Sequence, residues 1–520
     1  MSPKAPDAPP AATQPRRRGM ASVNAEVRDG IVPAAGALAV PRDPGGPDTS
    51  GPNYRLVALI VASALFMEFV DATVLATALP TMARDFAVRP QDMSIALTSY
   101  LLALAVFIPA SGVLADRFGS RTVFSTAIML FMAGSLACGQ APTLELIVLA
   151  RFVQGMGGAM MIPVGRLVLL RSVAKQDMVN AMSWLLVPAL IGPIVGPPLG
   201  GFIVTYLDWR WIFYINLPIG VVGLWLVRRY IANLREAHTT AFDLVGFVLS
   251  GVSLGCLLFG FEMASRAGKG PLAAGLVGVG ALAGVFYLRH ARGRDGAILD
   301  LTLLEDRTFR LSLIAGSVTR ITQGAQPFLL PLMMQVGFGF SAARSGTITV
   351  ATAIGSLAMK AAGPRVLRRF GFRRTLVWNG IIATAGYAAC GLFSPAWPVW
   401  QMFAILVVAG FFMSLQFTAY NTIAYDGIAQ RQMSSATAFY STFQQLMLSL
   451  GICVAAVALH LAMLVHGSHR PALADFSAAF WVVTAISLGA TIWNLRFAPD
   501  AGAEISGHAT ARAFEKQEAA

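Results

Sequence analysis

Charge is scarce in this chain. Only 12% of its 520 residues are Asp, Glu, Lys or Arg, while 56% are hydrophobic. A soluble protein carries roughly twice that charged share, so a fold that hides its apolar residues from water is excluded. Cysteine is scarce too. Cys138, Cys256, Cys390 and Cys453 each lie inside an apolar block with no CxxC spacing, which argues against a disulfide framework or a zinc site. HExxH, serine–histidine arrangements and intramembrane His/Asp/Glu clusters with metal spacing are missing, and the tails are short. An enzyme or a sensor is therefore disfavoured, and no cofactor or metal is expected. No ring of repeated filter residues speaks for a channel. An apolar h-region does not follow the early run Arg16, Arg17, Arg18 closely, so a cleavable signal peptide is not expected.

What is present is a series of long apolar blocks separated by short charged connections. A hydrocarbon core about 30 Å thick needs about 20 apolar residues per helix. By that measure the chain reads as an all-α membrane protein with fourteen spans, between residues 55 and 497. Residues 1–53, rich in Pro, Ala and Gly, read as a disordered cytoplasmic tail. The net charge of +13 comes without an aromatic-interleaved basic groove, so no nucleic acid is expected. Topology explains the charge better: with both termini cytoplasmic, the inside connections hold most of the arginines, as the positive-inside rule requires. A faint repeat also appears. Arg117-Phe118-Gly119-Ser120-Arg121 is echoed by Arg369-Phe370-Gly371-Phe372-Arg373. It falls in the equivalent connection if two six-helix halves, 54–235 and 296–498, flank two additional spans in 236–295, with 499–520 a cytoplasmic tail. Similar halves are a transporter signature.

The polar exceptions inside the blocks carry the chemistry. Glu68 and Asp71 are three residues apart and share a face of the first span. A carboxylate in the bilayer costs several kcal/mol unless paired or hydrated, and marks a proton relay by default. Arg151 lies in the fourth span. Counting in from the outer ends places Asp71 and Arg151 both about 10 Å deep on antiparallel helices. A direct or water-bridged link is expected, with Gln154 one turn on as a bridge. The fifth span holds Gly192, Pro193, Gly196, Pro197 and Gly200. Proline kinks a helix and glycine admits a close neighbour, so this segment reads as a bend that seals one side of a cavity. Gly112 and Gly119 flank a short connection with Asp116, Arg117 and Arg121, read as a breakable lock between helices. The cavity itself is expected among spans one, four, five and nine. Its candidate residues are Met67, Gln154, Arg320, Gln323, Gln416, Asn421, Gln444 and Gln445. Phe66, Phe69, Met160 and Met161 lie in the same region, and flexible Met surface suits promiscuous apolar ligands.

These motifs resemble the major facilitator superfamily. Gly112–Arg121 looks like its motif A, Arg151–Ala159 like motif B, and Gly192–Gly201 like motif C, the antiporter motif. Asp71–Pro80 and Trp209–Pro218 look like the fourteen-spanner drug:proton antiporters of the EmrB/QacA type, and within it like the MdtD/HsrA branch. The chain departs from that pattern at Ala76, often Asn, at Gln444, often Arg, and at Arg368, which stands where Asp116 stands in the first half. The resemblance implies a major facilitator fold and a proton-coupled multidrug exporter of the bacterial inner membrane. Small amphipathic compounds and protons would be exchanged by alternating access. It further implies a monomer, with periplasmic adaptor proteins as candidate partners. The alternative is a dedicated transporter of one endogenous metabolite on the same fold.

Overall fold

The computed structural model describes residues 54–172, 178–233, 242–264, 269–294, 297–429, 432–468, 470–506 and 508. The expected N-terminal tail and several connections lie outside these residues. All the long elements are helices, as a bilayer demands when every backbone polar group must be satisfied inside its own segment. They are α1 (Tyr54–Asp85), α2 (Ser94–Phe118), α3 (Ser120–Gln140), α4 (Leu144–Ser172), α5 (Met178–Tyr206), the short α6 (Trp211–Tyr214), α7 (Asn216–Tyr230), α8 (Leu244–Ala264), α9 (Gly270–Ala291), α10 (Arg307–Leu332), α11 (Ala342–Cys390), α12 (Val399–Ile423), α13 (Met433–His466), α14 (Leu473–Asn494) and the short α15 (Ala503–Ser506). Among the described residues ten helices are long and apolar enough to cross a membrane. That set does not include α5, α10 or α11. In α10, Thr319, Arg320, Thr322, Gln323 and Gln326 dilute the apolar stretch.

The first helix runs further than the sequence predicts. Its apolar block reads as a span over 55–78, ending before Pro80, yet α1 continues through that proline to Asp85. Membrane helices tolerate such a proline because neighbouring groups re-satisfy the freed carbonyl. Helix α11 is two arms joined at Gly371, whose φ of 71° lies in the left-handed region. Gly119, between α2 and α3, has φ 93°. The two Arg-Phe-Gly connections thus share a backbone device that only glycine adopts without strain. Each is also covered from the end of its own part of the chain. Asn233 accepts from the Thr122 amide at 3.2 Å beside Gly119, and His508 bonds the Arg368 carbonyl at 2.8 Å beside Gly371. The described residues beyond 498 make a further contact, since the Gly502 amide donates to Asp426 at 2.7 Å.

Helices α1 to α7 pack mainly among themselves, as do α10 to α14. The two groups meet along two seams. At one, α5 lies on α11: Gly201 abuts the Ala342 carbonyl, Gly346 abuts Pro197, and the Ala343 amide donates to Thr205 Oγ1 at 2.9 Å. Gln335, in a π turn that follows α10, adds a bond to the Thr77 carbonyl at 3.0 Å. At the other, α2 lies on α13, where Ser449 donates to the Thr98 carbonyl at 3.4 Å. Both sets of contacts sit toward the end of the bundle that holds Asp85 and Tyr206. Helices α8 and α9 pair with each other through Gly260 and Gly280, and α8 rests on both α2 and α13. Their outer faces are apolar and exposed, with Leu244, Val248, Leu272 and Phe286 among them, as lipid contact requires.

The α1–α5 seam shows why the fifth span is rich in glycine. A Cβ on Gly192 would lie 2.7 Å from Phe69 Cβ, one on Gly196 would overlap Thr73, and one on Gly200 would lie 2.5 Å from Thr77 Oγ1. Three glycines four residues apart thus receive three α1 side chains four residues apart, a register set by the helical repeat. Gly196→Val is expected to force the helices apart and to cost about 1–3 kcal/mol. Thermal unfolding of the purified protein checks this. Gly112→Ala, where an added Cβ meets nothing within 4 Å, should leave stability unchanged.

Candidate functional site: a buried carboxylate network beside a cavity

Asp71 and Arg151 meet directly. Arg151 Nη1 donates to Asp71 Oδ2 at 2.5 Å, with both side chains all but fully buried. The predicted bridge is present as well. The same nitrogen donates to Gln154 Oε1 at 2.6 Å, and Gln154 Nε2 donates to Asp71 Oδ1 at 2.8 Å and to Ser135 Oγ at 2.7 Å. Asn216 Nδ2 completes the set with 3.0 Å to Asp71 Oδ1. Arg151 Nε reaches the Ala96 carbonyl at 3.3 Å, and its guanidinium lies 4.3 Å from the centre of the Tyr100 ring. Five helices, α1, α2, α3, α4 and α7, therefore meet in one network around this carboxylate.

The local sequence explains the convergence. Gly155 abuts the Tyr100 carbonyl, Gly157 abuts α3 at Ala127 and Phe131, and Gly134 abuts the backbone of Gln154. Small residues bring the three backbones close enough for short polar side chains to reach each other. Glu68 occupies the same face of α1 and is 5% exposed, but its Oε2 has no hydrogen-bond partner. The Tyr100 hydroxyl is also buried without one. Asp71 is thus saturated and Glu68 is not. Among the described residues no three His, Cys, Asp or Glu side chains gather as a metal site.

A cavity of about 430 Å³ opens beside this network. Thr73 and Thr77 of α1, Pro193 and Pro197 of α5, Gln323 and Pro327 of α10, Thr352 and Lys360 of α11, and Met413 and Phe417 of α12 line it. Helix α4 does not, which corrects the expectation of a cavity among spans one, four, five and nine. Its polar side chains are spent on the network, and its glycines seat it against α2 and α3. Of the candidate cavity residues, Gln323 alone lines the space. Met67 and Met161 are fully buried in the apolar core around α1, α3 and α4, and Met160 nearly so. They are neither cavity lining nor lipid-facing. Gln154 belongs to the carboxylate network. Gln416 is held by Asn379, Tyr420 and the Leu376 carbonyl. Asn421 bonds back to the Phe417 carbonyl at 2.8 Å. Arg320 takes Gln444 as partner at 3.2 Å and stacks on Tyr440 and Phe417, behind the wall rather than on it. Gln445 is half-buried on α13 and away from the lining.

The other predicted elements lie apart from the network. Arg117 is exposed at the end of α2, Asp116 and Arg121 are half-buried, and Gly119 makes the turn. Pro193 and Pro197 face the cavity while Gly192, Gly196 and Gly200 face α1. Several polar residues escaped the sequence reasoning. Ser135 and Asn216 complete the network, Lys360 is the charge on the cavity wall, and Glu262 of α8 accepts from Ser94 at 2.5 Å and from Cys453 at 3.4 Å. The signal for Asn216 and Glu262 was available, since each is a lone polar group in an apolar run.

Two packed groups of helices with an internal ion pair and a cavity between the groups are the architecture of a membrane transporter of small molecules. The Major Facilitator Superfamily model matches residues 61–452 and, again, 313–518. The chain is 40% identical over 416 residues to the "Putative multidrug resistance protein MdtD" of Yersinia enterocolitica, covering 78% of this chain and 87% of that one. It is 39% identical over 406 residues to the protein of the same name from Escherichia coli, covering 77% and 85%. Among solved structures, a POT family peptide transporter in an auto-inhibited state superimposes with a TM-score of 0.62 at 14% identity, covering 85% of this chain and 97% of that one. The chain belongs to the Major Facilitator Superfamily.

Breaking the pair from one side should be costly. Arg151→Met strands the Asp71 charge and is expected to destabilise by about 3–5 kcal/mol. Asp71→Asn combined with Arg151→Met should recover most of that loss. Thermal unfolding of the two purified variants and the unaltered protein reads the difference.

Proposed function

We propose that this transporter expels small amphipathic compounds in exchange for protons, by alternating access across the inner membrane of a bacterium. The single observation that carries the proposal is the position of Asp71. It is the residue before Ala72 and Thr73 on the cavity wall, yet its own side chain is held in the buried network by Arg151, Gln154 and Asn216. A change in its charge therefore acts on the helix that forms the wall.

The reading takes α5, α10 and both arms of α11 as spans alongside the ten most apolar helices, making fourteen with both termini cytoplasmic. The seams at Thr205–Ala343 and Ser449–Thr98 then lie at the outer end, and the cavity belongs to an inward-facing state. Protonation of Asp71 from the outside removes the anion that Arg151 faces. Arg151 keeps the Ala96 carbonyl and Gln154 but loses its ionic partner, so the network must rearrange. Because α1 is keyed into α5 by Gly192, Gly196 and Gly200, movement of α1 carries α5 with it. Helix α5 forms the outer seam with α11, so the rearrangement reaches the contact that closes the outer end. The proton and the compound then favour different states of one equilibrium, which is what exchange requires. Glu68, one turn away with a buried oxygen lacking a partner, is placed to pass the proton on. The names of the MdtD relatives agree with drug-like compounds as cargo.

Everted membrane vesicles test the assignment. With an imposed pH gradient, Asp71→Asn should abolish gradient-driven accumulation while exchange of labelled for unlabelled compound continues. Full gradient-driven transport by Asp71→Asn would contradict the role given to this residue.

A further inference from the structure

The cavity has an unbalanced charge. Among the described residues that line it none is acidic, and Lys360 is the one charged side chain. The exposed Lys360 ammonium donates to Thr418 Oγ1 on α12 at 3.4 Å, next to the lining residue Phe417. A lysine that served only to set topology would extend away from the protein with the arginines that follow Arg365. A second cation lies just behind the wall. Arg320 is 2% exposed, its Nε has no hydrogen-bond partner, and its guanidinium sits 5.5 Å from the centre of the Phe417 ring, a lining residue. Among the described residues no carboxylate pairs with Arg320, whose polar partner is the neutral amide of Gln444. The acids of α1 do not offset these charges. Asp71 is bound to Arg151, and Glu68 is buried on the face of α1 that it shares with Asp71. The rest of the lining is apolar or carries neutral hydrogen-bonding groups, among them Pro327, Leu330, Met413, Thr352 and Gln323.

We propose that the cavity selects amphipathic organic anions, with an apolar ring body against Pro327, Leu330 and Met413 and a single carboxylate or sulfonate seated on Lys360. A cationic amphiphile would enter a space that offers it no counter-charge and two like charges. A multiply charged anion would have to bury its further charges against apolar walls, which is costly without partners. The inference deepens the transport reading and rests on it for the claim that the bound anion is cargo.

A matched set of fluorescent probes tests it on the purified full-length protein. Dansylglycine is a monoanion, dansylglycinamide is neutral and dansylcadaverine is a cation, and all three share the same ring body. Dansylglycine is expected to bind about tenfold or more tighter than the other two, the size of a hydrogen bond to a charged group. Lys360→Met should level the three affinities, Lys360→Arg should keep the preference, and Lys360→Glu should shift it toward dansylcadaverine. Equal or tighter binding of the cation or the amide to the unaltered protein would overturn the proposal. So would a preference for dansylglycine that survives Lys360→Met, or binding of none of the three. Uptake of the same probes into proteoliposomes separates the two claims. Anion-selective binding without uptake contradicts the transport reading and leaves the site intact. Uptake of the cation alone contradicts the anion site and leaves the transporter intact.

Discussion

A carboxylate and a guanidinium held together away from water constrain everything around them. Each charge alone would cost several kcal/mol in the interior of a membrane protein. The pair between Asp71 and Arg151 removes that cost only while both partners and their hydrogen-bonding neighbours stay in place. Asn216, Gln154 and Ser135 have to come from three different helices, so α3, α4 and α7 are fixed relative to α1. The glycines of α3 and α4 follow from the same need, because their backbones must approach closely for such short side chains to reach the carboxylate. An ion pair of this kind contributes little net stability. In the proposed exchange it is the place where one proton would change the balance of a whole helix group.

Helix α1 turns that local event into a larger one. It makes three committed contacts on two faces. One face carries Asp71 into the ion-pair network, and the other, through Thr73 and Thr77, both meets the glycines of α5 and lines the cavity. A rigid element with three contacts cannot move at one of them without moving at the others. Coupling between a proton site and a cargo site needs a shared element of this sort, with differential contacts in two states. Helix α5 extends the chain of contacts to α11 and the seam at Thr205–Ala343. Helix α8, through Glu262, touches both α2 and α13 at the second seam, so the additional helix pair is tied to the parts that would separate.

Much of this architecture was legible in the residues, and the gaps have a common cause. Apolar block length located the helices, because bilayer thickness sets it. Depth could be counted from 1.5 Å per residue, which is why Asp71 and Arg151 could be matched across two helices. Rotation about each helix axis could not be read. In a soluble helix the apolar face marks the inside, but lipid is as apolar as the protein interior. Thus Met67 and Met161 could not be told from cavity or lipid-facing residues, and α4 was assigned to the cavity when it faces the ion pair. Arg320 and Gln416 were counted as cavity candidates because they are polar residues inside apolar spans, yet they face neighbouring helices. Lys360 escaped notice because its position resembled one of the charged connections. The continuation of α1 past Pro80 depended on neighbours that no local pattern reports.

The central claim is that the charge on Asp71 decides which end of the bundle is open. Spin labels at half-buried Arg89 and exposed Arg470, both beyond the seams at the proposed outer end, report the separation there by pulsed electron–electron resonance. The account predicts a single short distance at high pH, a growing long-distance population as the pH falls, and in Asp71→Asn a mixture of both distances, rich in the long one, that no longer changes with pH. A distance distribution that ignores both pH and Asp71→Asn would contradict it.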